Sequence, residues 1–508
     1  MGKGLGFDFG RGALWLGVSS AAARAFGVVA QLVLGASLSD ADFGVFALAM
    51  GLTSLTMCLR GGNVGGYLQT LDDERFPKEA GGFIRLSGLA CLIGLGATLL
   101  AALWAPAFVA TRGVRGVLVA FAGTACVSFF SMPSRACLAA RLAFGRLAVV
   151  DCVSAFVRAG VAIALAVQGM GAYALVIPIV ASGIVEAILL NRFMPVPVLR
   201  LAVRAGNTRA AAHTVRWTML AALASTMIYQ GDYLGASYFV STDVLGQYFF
   251  AYSLCNQIGY LSTSMLGGII APIIARMGDD RQRQEAAGRR LAAGLALVIP
   301  GILMTLPVAF PEFDRLVWGG RWEVVRWPLV LMAPHLACLL TTTLLYGALH
   351  GRGHFRLPAL LDCMRAVALL AGAALGAAWF HTAGGIAIGA LLLGGTASVV
   401  ASVAVTASLG NSRVAAVKLL GGGPLLVLAI ATLIRHGSDT VQGWSGATLG
   451  HDPRWFIEAV ATAAVFLIAY GVACRLVFPE STRDLLQFVQ QTRSSLTRSI
   501  RPQAASHR

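Results

Sequence analysis

The chain has 508 residues and a mean hydropathy of +0.75; 57% of its side chains are hydrophobic and only 12% are charged. A soluble domain carries about 25% charged residues, so this composition excludes a water-soluble fold and points to a polytopic membrane protein. The formal net charge of +16 would suggest nucleic acid in a soluble chain, but here the basic residues must first be placed along the spans.

A crossing helix needs about 20 mostly apolar residues. In chain order the apolar runs lie at 13–36, 43–68, 82–104, 114–134, 147–168, 171–193, 210–237, 244–275, 289–310, 327–349, 357–379, 384–408, 415–434 and 455–478. They predict an all-α fold of about fourteen transmembrane helices. The first run is broken by Arg24 and leads straight into the second, so it does not read as a cleavable signal. With the N-terminus inside, outer segments hold only Arg112, Arg115, Arg315, Arg321, Arg326, Arg435 and Arg454, and the other loop Lys and Arg fall inside. This obeys the positive-inside rule along the chain. It predicts an even number of spans with both termini cytoplasmic, and it accounts for the charge without a nucleic-acid partner. The basic tail from Pro479 carries Leu485, Leu486, Val489, Leu496 and Ile500. It reads either as a surface helix on the anionic inner leaflet or as a disordered tail.

The nine cysteines fall in or beside apolar runs, and none forms Cys-x-x-Cys. They read as small packing residues. His350 and His354 flank a Gly-broken turn, HGRGH, that does not present two ligands on one helix face. No metal and no cofactor are expected.

Two stretches repeat. SDADFGVFALA runs from Ser39 to Ala49, and STDVLGQYFFA from Ser241 to Ala251. Their glycines, Gly44 and Gly246, are 202 residues apart. Each stretch lies at an outer corner between the first and second spans of a block of six. The two blocks start on the same side, which predicts a parallel repeat about an axis along the membrane normal. The expected organisation is an N-terminal six-helix lobe at 1–205 and a C-terminal six-helix lobe at 206–412. Helices thirteen and fourteen follow at 413–478, and a basic cytoplasmic tail at 479–508.

The first corner resembles that of the polysaccharide-transporter branch of the flippase superfamily that includes multidrug and toxin extrusion proteins and lipid II flippases. GGNVGGYLQ (61–69) resembles that branch's Gly-rich close of span two. DYLGASYFVSTDVLGQYFFAYSL (232–254) resembles its span-seven to span-eight corner, and WGGRWEVVRWPLVLMAP (318–334) its entry to span ten. The resemblance implies a flippase for oligosaccharide repeat units carried on undecaprenyl pyrophosphate, serving O-antigen or exopolysaccharide biosynthesis. It implies a bacterial inner-membrane location. The implied partners are the lipid-linked oligosaccharide, membrane lipid, and a polysaccharide polymerase with its export machinery. Two departures stand out. Ala36-Ser37 replaces the Ala-Arg pair that usually precedes the corner, and Arg60 stands where relatives often have an acidic or small residue.

An ionised side chain at mid-membrane costs about 2.5–3.5 kcal/mol on insertion scales, so it faces a cavity or a partner. Arg24 is central in span one, Arg60 lies in the inner half of span two, and Arg158 is central in span five. Arg158 has Asp151 seven residues earlier on the same helix and Glu186 within expected reach on span six. Asp362 and Arg365, three apart on span eleven, are expected to pair. The positions 202 residues beyond Arg24 and Arg60 are Thr226 and Ser262, so the cationic lining belongs to the first block alone. A pyrophosphate needs such a lining, because guanidinium forks match phosphate oxygens. Arg24, Arg60 and Arg158 are therefore the expected head-group ligands, and Asp232 the expected ion- or proton-coupling group. No catalytic residue is expected. Two other functions stay open. A cation-drug exporter on the same scaffold would need acids and aromatics in its cavity. A polyprenyl-dependent glycosyltransferase is suggested by Asp40-x-Asp42, but the short first outer loop leaves no room for a sugar site.

Overall fold

The computed structural model describes residues 4–61, 64–68, 76–108, 113–141, 143–203, 208–276, 281–351, 354–409, 412–445 and 454–483. These residues form helices and short connections. The long helices are α1 (Gly4–Ser37), α2 (Asp40–Gly61), α3 (Phe76–Phe108), α4 (Val114–Ala140), α5 (Phe144–Val167), α6 (Tyr173–Phe193) and α7 (Thr208–Ser237). They continue with α8 (Thr242–Arg276), α9 (Arg281–Trp318), α10 (Arg326–Gly351), α11 (Arg356–Phe380), α12 (Ala383–Ser408), α13 (Arg413–Ser445) and α14 (Arg454–Val477). One π turn, Ala390–Gly395, interrupts α12.

The chain is an all-α polytopic membrane protein. Hydrocarbon offers no hydrogen bonds, so each spanning segment must satisfy its own backbone, as a helix does. Among the described residues, 11 helices are long and apolar enough to cross a membrane. Helices α2, α7 and α8 also have crossing length, at 22, 30 and 35 residues. Rows of large apolar side chains face outward, such as Leu92, Ile93 and Trp104 on α3 and Phe456, Ile468 and Leu476 on α14. In water such patches drive association; against lipid they are the expected surface.

Helix pairings recur along the chain. Helix α1 packs on α5 as α7 packs on α11, and α3 on α4 as α9 on α10. Helix α4 packs on α6 as α10 on α12, and α5 on α6 as α11 on α12. The two series meet where α2 lies against α7 and α8. Helix α13 rests on α9, α10 and α12, and α14 on α9 and α13. One apolar core joins both series, with Phe43, Tyr233, Tyr248, Phe250 and Trp322 fully buried where they meet.

Candidate functional site

The two repeated corners touch each other. Ser39 caps α2: its hydroxyl accepts the Asp42 N–H at 3.2 Å, while the Asp42 carboxylate accepts the Ser39 N–H at 3.0 Å and the Ser39 hydroxyl at 2.7 Å. This is a reciprocal cap of the kind that Ser and an acid three residues on can form. Ser241 stands in the same position before α8, with the Val244 N–H 3.5 Å from its hydroxyl. The first turns of α2 and α8 then cross so closely that no side chain fits. A Cβ on Gly44 would lie 1.8 Å from the Thr242 carbonyl oxygen, and one on Gly246 would lie 1.8 Å from that of Asp40. Gln247 donates to Asp40 at 3.0 Å across the same crossing.

The turn after α9 closes over this crossing. Gly319 and Gly320 adopt positive φ of 68° and 87°, which glycine tolerates without steric cost. The Asp314 carboxylate accepts the Trp322 N–H at 3.1 Å and fixes the turn. Trp322 stacks on Phe250 at 3.9 Å and meets Phe43 edge-on at 5.7 Å, one ring from each repeated corner. The last four carbonyls of α1 lack a helical N–H, and this turn serves Gly35 and Ala36 among them, together with Leu32 one turn earlier and Leu38 just beyond. Trp318 Nε1 donates to Leu32 O at 3.0 Å and Trp322 Nε1 to Gly35 O at 2.9 Å. Arg321 donates to Gly35 O, Ala36 O and Leu38 O at 3.2, 3.1 and 2.5 Å. Its guanidinium also lies 4.0 Å from Asp40. Asp40 and Asp42 thus both hold the corner together.

Away from the corner, α1 carries a polar stripe toward α8. Gln31 donates to the Ser253 hydroxyl at 2.9 Å, and the Gln257 amide lies 3.5 Å from where a Gly27 Cβ would be. Arg24 continues this stripe, because residues 24, 27, 31 and 35 share one helix face. It is half-buried and sits about 20 Å along the α1 axis from the corner. Arg60 falls in the last turn of α2, and its side chain lies outside the described residues. So does Ser262, and the tail beyond residue 483 lies wholly outside them.

Arg158 is exposed on α5, and both acids expected near it also bind Arg135. Arg135 of α4 pairs with Asp151 of α5 and, at 3.0 Å, with Glu186 of α6. Arg135 sits just past the apolar run 114–134 in the sequence; the structure makes it the centre of a triad across three helices. Asp232 is buried in α7, where the Tyr248 hydroxyl of α8 donates to it at 2.7 Å and the Tyr233 N–H at 3.0 Å. Asp362 and Arg365 pair at 2.7 Å as expected. Arg365 also donates to the Ser398 hydroxyl and to Leu339 O, joining α10, α11 and α12. Arg435, read from sequence as an outer-loop charge, is instead buried in α13 and bonds Glu312 of α9 at 2.8 Å. Arg321 was missed as a site residue; its place in the Trp-Gly-Gly-Arg-Trp motif was the available signal. Among the described residues no cluster of His, Cys, Asp and Glu is arranged to hold a metal ion.

No curated protein matches the chain by sequence. In fold it is similar to a solved structure described as lipid II flippase MurJ, inward closed conformation, with a TM-score of 0.65 at 11% identity, covering 91% of this chain and 99% of that one. It is also similar to an inward-facing multidrug resistance MATE family transporter of the MOP superfamily, with a TM-score of 0.53 at 13% identity, covering 76% of this chain and 94% of that one. At such identities the likeness establishes the fold, which is that of the superfamily the quoted motifs resemble. A family model described as polysaccharide biosynthesis protein matches residues 33–326, more than half of the 508 residues and a stretch that holds both repeated corners and the Trp318–Trp322 turn, and the chain belongs to that family.

Proposed function

We propose that the protein is a flippase that moves undecaprenyl-pyrophosphate-linked oligosaccharide repeat units across the bacterial inner membrane, for exopolysaccharide or O-antigen biosynthesis. Residues 1–205 and 206–412 act as two lobes, and the substrate head group enters between them from the cytoplasmic side. The observation that carries this reading is the α1–α8 seam. At the corner end it is capped by the Arg321 turn, beside the close-packed glycines of the α2–α8 crossing, and it carries a polar stripe ending in Arg24 away from that end. Family membership in polysaccharide biosynthesis supports the substrate class, and the fold shared with a lipid II flippase supports the lipid-linked form.

Arg24 and Arg60 supply the charge that replaces water around the pyrophosphate. A guanidinium fork matches two phosphate oxygens at once, and low-dielectric walls strengthen the attraction. Arg158, exposed on α5, is a lesser head-group ligand that acts at the rim. Asp232 is the coupling group, since its carboxylate joins α7 to α8 through Tyr248. The lipid tail lies against α14, where a groove of about 470 Å³ runs between Leu297, Ile302 and Leu467 and ends near Arg475. Translocation alters no covalent bond, so the mechanism needs no nucleophile, general base or cofactor. The protein then hands its cargo to a polymerase and export machinery.

Complementation of polysaccharide export in a strain lacking this gene tests the reading. Arg24→Ala and Arg60→Ala should abolish export at normal protein level, and Arg24→Lys should keep part of it. Wild-type export from both alanine variants, singly and together, would overturn the anionic-cavity mechanism.

A further inference from the structure

A second groove lies on the outside of the first six helices, between α4 and α6. It encloses about 730 Å³ and is walled by Val127, Phe130, Ile184 and Ile188, with Val198 and Arg200 at one end. The walls are open to the hydrocarbon, with Ile188 62% and Phe130 42% exposed. Gly183 leaves only 3.2 Å between its missing Cβ and Val127, which lets the two helices meet at the floor while their outer edges splay.

The closed end is basic. Arg200 is exposed there. Arg141 reaches the Met194 sulfur at 3.4 Å, and Arg146 reaches Phe193 O at 3.5 Å, so both guanidinium groups are held on the turn that leads to Val198. The nearby acids Asp151 and Glu186 share Arg135, so their triad leaves one net negative charge against the three guanidinium groups of Arg141, Arg146 and Arg200. Asn191 is also committed, donating to Ala187 O at 2.8 Å and accepting from the Ser134 hydroxyl at 3.1 Å. An apolar trough thus ends at Arg200, with Arg141 and Arg146 held on the adjoining turn.

We propose that the α4–α6 groove is a binding site for one phospholipid with an anionic headgroup, its acyl chain along Val127, Phe130, Ile184 and Ile188 and its phosphate at Arg200. Basic pockets between membrane helices recognise such headgroups, and one basic residue near the surface contributes enough to change affinity severalfold. The guanidinium fork suits phosphate oxygens. The site is separate from the lobe seam, and its occupant is a resident of the bilayer rather than cargo.

The test uses purified, delipidated full-length protein and a phosphatidylglycerol bearing a diazirine in its acyl chain. Cross-links should fall in residues 126–130 and 184–188. Unlabelled phosphatidylglycerol should compete about fivefold better than phosphatidylcholine of the same chains. Arg200→Ala should abolish that preference, and Ala187→Trp, which fills the groove, should cut labelling severalfold. Arg200 is exposed, so its substitution leaves the fold intact, and the labelling pattern in other helices controls for this. Equal competition by the two lipids, labelling unchanged in both variants, stronger competition by a lipid-linked oligosaccharide, or capture of a second copy of the chain at these residues would each overturn the proposal.

Discussion

Gly44 and Gly246 each occupy the space a side chain would need against the other's helix. Gly44 faces the carbonyl of Thr242, four residues before Gly246, and Gly246 faces the carbonyl of Asp40, four residues before Gly44. This reciprocity is what a two-fold contact requires, and here one chain supplies both halves from sequence 202 residues apart. It explains why the corner is written twice: each copy is the other's binding surface. Gly44→Ala and Gly246→Ala should therefore have similar effects. A methyl group 1.8 Å from a backbone oxygen must push the helices apart. A cysteine placed at Ala36 should label severalfold faster with a membrane-impermeant thiol reagent in either variant, and export should fall.

Arg321 makes a separate prediction at the same place. Arg321→Ala removes the donors that serve Gly35 O, Ala36 O and Leu38 O. Arg321→Lys keeps the charge and loses the fork. Thiol access at position 36 should rise in the order wild type, lysine, alanine. Equal access in all three would show that the tryptophans alone hold the turn.

The pair of Arg435 and Glu312 predicts stability rather than transport. Glu312 is fully buried and Arg435 nearly so. Breaking a buried pair by removing one partner costs about 3–5 kcal/mol. Glu312→Leu should lower the melting temperature in detergent markedly, while the double variant Glu312→Leu with Arg435→Met should recover most of the loss. The measurement is thermal unfolding followed by tryptophan fluorescence.

Topology is tested with single cysteines. Fourteen crossings with both termini in the cytoplasm require that a cysteine at Ser445, the end of α13, label from outside, and that one at Ser494 stay protected until the membrane is permeabilised. External labelling at 494 would reverse the assignment.

The long helices were legible because lipid imposes one requirement that sequence states directly: about 20 apolar residues without interruption. Their ends were less legible. The run read as 415–434 is Arg413–Ser445 in the structure, because polar residues extend a helix past the hydrocarbon with no change of period. Asp362 and Arg365 were legible as a pair, since three residues on one helix fix their neighbourhood. Local reasoning placed Asp151 beside Arg158, and it could not see that Asp151 also pairs with Arg135 on another helix. Which helices become neighbours is a tertiary fact, and spacing along one helix does not reveal a partner brought alongside by packing. Arg435 misled for a related reason. A buried arginine and a loop arginine look alike until the acid that neutralises it is placed.

The end of α1 has a consequence for leakage. Its last carbonyls are satisfied by side chains that approach from the far side of the seam. Whenever the corner end opens, those groups must pass to water together. At a net 0.5–1.5 kcal/mol each, the hydrogen bonds from Trp318, Trp322 and Arg321 amount to several kcal/mol. Every 1.4 kcal/mol is a factor of ten in population, so these bonds alone weight the closed corner by about 50-fold or more. Whatever opens the corner end, a bound ligand or a coupled ion, must offset that bias. A transporter built this way stays tight at that end while idle and opens there only when another interaction offsets the cost.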